Sequence, residues 1–174
     1  MRADLVLAPL SLLFLTGAVA PPAPPAPPAP PKPPSIEGTY RLVSRDLSDG
    51  SKQAPPAING LITYTKGYRN FNIYWKDAGG KVFSVSYIAA YQLTPKEYRE
   101  KSVFFLVNDE IGGKGASYDL SPLDGASAVT ITGARIAMHM PLHGEPDIVF
   151  EGNKMTATGK GVFGTFVDHW ERVP

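Results

Sequence analysis

The chain of 174 residues contains no cysteine. That absence excludes disulfides, thiolate zinc sites, iron–sulfur clusters and thiol nucleophiles. A charge bias is missing too, with 17 Lys and Arg against 16 Asp and Glu. Arg2, Lys32 and Asp4 precede Ser35, so residues 35–174 carry 15 basic and 15 acidic side chains. Such a surface lacks the basic footprint that nucleic acid requires and the polybasic strip that anionic membranes attract. Long helical periodicity is also missing, so no helical layer is available to cover a sheet. No Gly-x-Ser-x-Gly elbow is present. Gly112-Gly113-Lys114-Gly115 fails as a phosphate loop, because that pattern needs glycine at 108 and Ser or Thr at 115, where Asn108 and Gly115 stand.

Three segments differ sharply in composition. Residues 1–20 read as a signal peptide: Arg2, an apolar run from Leu5 to Leu15, then small residues through Thr16-Gly17-Ala18-Val19-Ala20. The run is short for a bilayer span, which needs roughly 20 apolar residues. Cleavage after Ala18 avoids a proline just past the scissile bond. The expectation is an exported protein, periplasmic or secreted; the alternative is an uncleaved segment that tethers it. Residues 21–34 form a proline-rich linker. Proline fixes φ and lacks a donor, so this linker extends as polyproline II, about 43 Å at ~3.1 Å per residue. It reads as a spacer for envelope tethering, with a ligand for a proline-binding module as the alternative.

From Ser35 the hydrophobic period becomes two. Strands are expected over Thr39–Asp46, Leu61–Thr65, Tyr68–Lys76, Val82–Leu93, Ser102–Asn108, Ala116–Leu120, Ser127–Thr132, Ala134–Met140, Asp147–Phe150, Lys154–Thr158 and Phe163–Val173. Lys66-Gly67 supplies a tight hairpin turn. Thr94-Pro95-Lys96-Glu97 reads as one short helical turn with a capping box. The fold class is therefore all-β: residues 35–174 form a single antiparallel meander barrel of about 8–10 strands that closes first strand on last. The expected oligomeric state is a monomer.

The two ends carry a family likeness. Gly38-Thr39-Tyr40-Arg41-Leu42-Val43 opens the domain, Gly60-Leu61-Ile62-Thr63-Tyr64-Thr65-Lys66-Gly67-Tyr68 follows, and Trp170-Glu171-Arg172 closes it. This resembles the bacterial lipocalin-like domain family, with Tyr40 where lipocalins place a tryptophan and Arg172 as the late arginine that packs over it. The resemblance implies a lipocalin-type barrel and no particular activity. Tyr40, Trp170 and Arg172 read as scaffold. The stretch from Tyr98 to Met155 departs from the family pattern.

Period-two alternation places Phe71 and Trp75 on one face, and Phe83, Tyr87 and Tyr91 on another. With Phe105, Phe150 and His139 they form the expected ligand-binding lining of the lumen. Such residues either fill a small barrel or wall a cavity for one small molecule. His139 and His143 have a metal-like spacing, but on a strand that spacing does not converge, so neither metal nor cofactor is expected. Asp168 and His169 are adjacent on a strand and face opposite ways. If Asp168 shares the inner face with Phe166 and Trp170, it needs a partner.

These observations lead to an exported protein that binds a small hydrophobic or amphipathic molecule in the barrel lumen. No catalytic residue is assigned. The alternatives are an isomerase or lyase using Asp168, His139 or His143 as acid or base, and a structural envelope module with a filled barrel.

Overall fold

The computed structural model describes residues 35–161 and 164–174. The leader and the proline-rich linker lie outside the described residues. Twelve strands run in chain order: β1 (Gly38–Leu47), β2 (Lys52–Gln53), β3 (Ile58–Tyr64), β4 (Tyr68–Lys76), β5 (Val82–Leu93), β6 (Glu97–Asp109), β7 (Gly115–Asp119), β8 (Asp124–Thr132), β9 (Arg135–His139), β10 (Asp147–Glu151), β11 (Lys154–Gly161) and β12 (Gly164–Arg172). Ten of them form a closed antiparallel ring in the order β1-β3-β4-β5-β6-β8-β9-β10-β11-β12, with β12 pairing back to β1. Closure removes the two exposed edges that an open sheet of this length would present. β2 adds to β1, and β7 pairs with the upper half of β6.

The seam pairs Tyr40 with Arg172 and Leu42 with Trp170. The Arg172 guanidinium lies 5.3 Å from the Tyr40 ring centre, and its Nη2 donates to the Tyr40 hydroxyl at 2.9 Å. That hydroxyl donates in turn to the Ile36 carbonyl at 3.2 Å. The first and last strands are thus joined at one end by the arginine-over-aromatic contact that their sequences suggest.

Two bulges set which residues face inward. In β1 the register slips between Leu42 and Ser44, leaving Val43 without a ladder partner. Tyr40 and Leu42 face in below the slip, and Arg45 and Leu47 above it. In β6 the register slips opposite Ile88 and Ala89, leaving Val103 over. Tyr98, Glu100 and Ser102 are buried below it, and Phe105 lines the interior above it. One extra residue reverses the alternation, so each bulge turns a strand's inner face over part way along.

The Thr94–Lys96 segment is a hairpin turn between β5 and β6, not a helical turn. Thr94 Oγ1 accepts from the Glu97 and Lys96 amides at 2.9 and 3.3 Å, while the Thr94 amide donates to the Glu97 carbonyl. The capping signature is present, but Glu97 has a β8 partner in Ala128 and continues as strand. A threonine hydroxyl closes either structure; the pairing partner decides.

The interior is filled at one end and hollow at the other. At the filled end Tyr40, Tyr64, Tyr91, Tyr98 and Phe150 pack together, with Tyr40 and Tyr64 edge-on to Phe150 at 5.5 and 5.4 Å and Tyr91 stacked on Tyr98.

Candidate lumenal site

The hollow end holds a cavity of about 160 Å³. Its walls are largely apolar: Ile62, Phe71, Ile73, Val85, Ile148 and Met155 come from five different strands. Both tryptophans of the chain, Trp75 and Trp170, line it as well. Gly60 leaves the space that the Trp170 ring occupies: a Cβ there would lie 2.8 Å from Trp170 Cη2 and 3.0 Å from the Asn72 carbonyl.

Two buried groups of ion pairs are set into these walls. Arg45 grips Asp168 through Nε–Oδ1 at 2.6 Å and Nη2–Oδ2 at 2.9 Å. Its guanidinium lies 4.8 Å from the Trp75 ring centre and 4.3 Å from that of Phe166. Two aromatic faces and a bidentate carboxylate replace the water that the cation gives up. Burial pushes the Asp168 carboxyl above its ordinary value, opposed by its hydrogen bond to Arg45.

The second cluster sits where the tyrosine packing ends. Arg69 Nη1 donates to Glu100 Oε2 at 3.2 Å and to Glu145 Oε2 at 2.7 Å, and Nη2 donates to Glu145 Oε1. Glu100 also accepts from the Tyr98 hydroxyl at 2.8 Å and the Tyr87 hydroxyl at 3.2 Å. Burial raises the Glu100 carboxyl despite Arg69 beside it. Desolvation pulls against the charged form of Arg69, but the charge and hydrogen bonds of Glu145 lead the opposing effects and hold the guanidinium as a cation.

Glu145 reaches this cluster because residues 140–146 fold inward. β9 ends at His139, and residues 143–146 then line the lumen. Met140 and Leu142 are buried. His143, at φ 55°, stacks on Phe105 with ring centres 3.9 Å apart, and its Nε2 stands 3.4 Å from Ser102 Oγ. Gly144 beside it takes φ 66°, a conformation glycine adopts without a steric penalty.

No protein-family model, curated protein or solved structure matches the chain. The closed barrel is compatible with a lipocalin-like architecture, and function has to be read from the geometry.

The residues singled out from sequence divide four ways. Phe71, Trp75 and Phe105 wall the cavity. Phe83 faces in and stacks on Trp75 at 4.5 Å, partly exposed. Tyr87, Tyr91 and Phe150 face in but are packed away from the cavity wall. Tyr87 lies under the Arg69 guanidinium, and Tyr91 donates to the Thr65 carbonyl at 2.8 Å. Burial pushes the Tyr91 hydroxyl up to about 12. His139 is a correction: it stands on the outer face, its side chain 58% exposed, 3.0 Å from Asp147. Ile136 and Met138 are the inward residues of β9, so the alternation sends His139 out.

His139 and His143 therefore lie on opposite sides of the wall. Asp168 does share the inner face with Phe166 and Trp170, and its partner is Arg45. His169 faces out to Asp46 at 2.8 Å. Sequence reasoning missed Arg45, Arg69 and Glu100. Arg69 was legible in principle, two residues before Phe71 on the same face. Arg45 was not, because the bulge at Val43 reverses its phase.

Proposed function

We propose that this barrel binds a small apolar or amphipathic molecule in the hollow half of its lumen. The observation that carries this reading is a cavity of about 160 Å³ with largely apolar walls. Burying apolar surface there is worth about 25 cal/mol per Å². The polar groups at its walls would orient the molecule, the usual division of labour in a ligand pocket. Export, with the proline-rich segment as a spacer, belongs to the same proposal.

Both tryptophans line the cavity, so intrinsic fluorescence reports occupancy. Titration of a panel of small hydrophobic molecules should give saturable changes in emission at micromolar concentrations. Trp75→Ala should weaken that binding, because it removes one wall and the ring over Arg45. A flat response across the whole panel would defeat the proposal.

A further inference from the structure

The polar groups at the cavity wall are uneven in what they leave unused. Four charged side chains line it: Arg45, Arg69, Glu145 and Asp168. Each carboxylate oxygen among them already accepts from a guanidinium: Asp168 Oδ1 and Oδ2 from Arg45, Glu145 Oε1 and Oε2 from Arg69. The donors are different. Trp170 Nε1 and Arg69 Nε are buried and have no hydrogen-bond partner among the described residues. Their side chains are among the most enclosed in the protein, Trp170 at 3% and Arg69 at 1% exposure. Both nitrogens are closed to water in this structure, so an acceptor in the lumen reaches them only after a small shift of the two side chains; a buried donor without an acceptor is costly, which favours an occupant that brings one.

Charge narrows the class further. Arg45 is matched by Asp168, and Arg69 faces two carboxylates, Glu100 and Glu145. An incoming anion finds no uncompensated cation among these groups and meets three carboxylates. Size sets the last bound, since a dry cavity of roughly 150 Å³ holds a single benzene ring.

Resting on the lumenal reading above, we infer that the cavity takes a neutral molecule of about one ring. It is apolar over most of its surface and carries an accepting oxygen, such as a ketone or aldehyde carbonyl, toward Trp170 Nε1 and Arg69 Nε.

Calorimetric titration of the full chain with acetophenone, ethylbenzene and benzoate tests this. Ethylbenzene has the same skeleton without the carbonyl oxygen, and a merely greasy cavity prefers it, because the ketone must shed water. The expected result is acetophenone binding at least as tightly as ethylbenzene and at least tenfold more tightly than benzoate. Trp170→Phe should cost the ketone about tenfold and leave the hydrocarbon within twofold. If that variant does not fold, the wild-type protein still decides. The Trp170 indole N–H resonance, distinguished from that of Trp75 with Trp75→Phe, should move downfield with acetophenone and not with ethylbenzene. Preference for ethylbenzene, or an indole resonance blind to the ketone, overturns the accepting-oxygen inference and leaves lumenal binding standing. Tighter benzoate binding overturns neutrality. Failure of all three probes to bind overturns the one-ring inference, while the lumenal reading stands or falls with the fluorescence panel.

Discussion

Arg45 and Asp168 are each stable inside the barrel only because the other is there. Removing one member of such a pair strands a buried charge and typically costs about 3–5 kcal/mol, whereas replacing both with apolar groups of similar shape can be neutral. Arg45→Met and Asp168→Leu are each expected to lower stability by about that amount, and the double variant to recover most of it. Urea denaturation of the four proteins measures the coupling. Gly60 is a residue-scale constraint of another kind, since any Cβ there meets both the Trp170 ring and backbone. Gly60→Ala should cost about 1–3 kcal/mol and shift tryptophan emission, because the ring cannot retreat without moving Phe71 beside it.

Titration at single residues has a definite sign. Burial raises Glu100 and Asp168, so the folded state keeps these protons to higher pH than the unfolded chain does. Their effect is that stability falls as pH climbs from the ordinary carboxylate range through the raised folded values. At the surface, Asp46, Asp49, Glu110 and Asp119 are lowered by hydrogen bonds and act in the opposite sense below that range. The denaturation midpoint should therefore peak in mildly acidic solution and decline toward neutrality, and Glu100→Gln should make the decline shallower. Midpoints measured across a pH series read both effects.

At the scale of elements, the two bulges do more than relieve the sheet. Val43 and Val103 are the outward, unpaired residues, 44% and 51% exposed, and each marks where an inner face changes over. Deleting Val43 would restore an unbroken ladder and force a choice: either Tyr40 and Leu42 or Arg45 and Leu47 must leave the lumen. The expected outcome is loss of cooperative folding, visible as collapsed dispersion of amide resonances. The segment lining the lumen is held by different means, with Glu145 clamped to Arg69 and His143 stacked on Phe105. Glu145→Gln weakens that clamp, and amide hydrogen exchange over residues 141–146 should speed up while exchange in β3 and β4 stays slow. Strand existence was largely legible from period-two alternation: Tyr68–Lys76 and Val82–Leu93 have the bounds expected of them. The missed features, the hairpin turn at Thr94 and the short β2, depend on a pairing partner that local pattern does not contain.

For the molecule as a whole, closure is the decisive event. β12 supplies Phe166, Asp168 and Trp170 to the lumen and Arg172 to the seam, so it carries both the wall and the lock. A chain ending at Gly161 should lose its near-UV circular dichroism and its cooperative unfolding, since β1 and β11 would become open edges and Arg45 would lose its carboxylate. The amino-acid order by itself determined the all-β class, most of the strand positions and the meeting of Tyr40 with Arg172, because alternation and end motifs are written locally. It also left a filled barrel and an open one equally open. The tertiary structure decided that both descriptions hold, each for one end. Tyrosines converge where Ile36 and Arg172 close the barrel, while two bulges and the infolded 140–146 segment bring charged pairs to the walls of the remaining space. Those placements depend on register and on contacts between residues more than a hundred positions apart, such as Arg45 with Asp168, and no local periodicity encodes them.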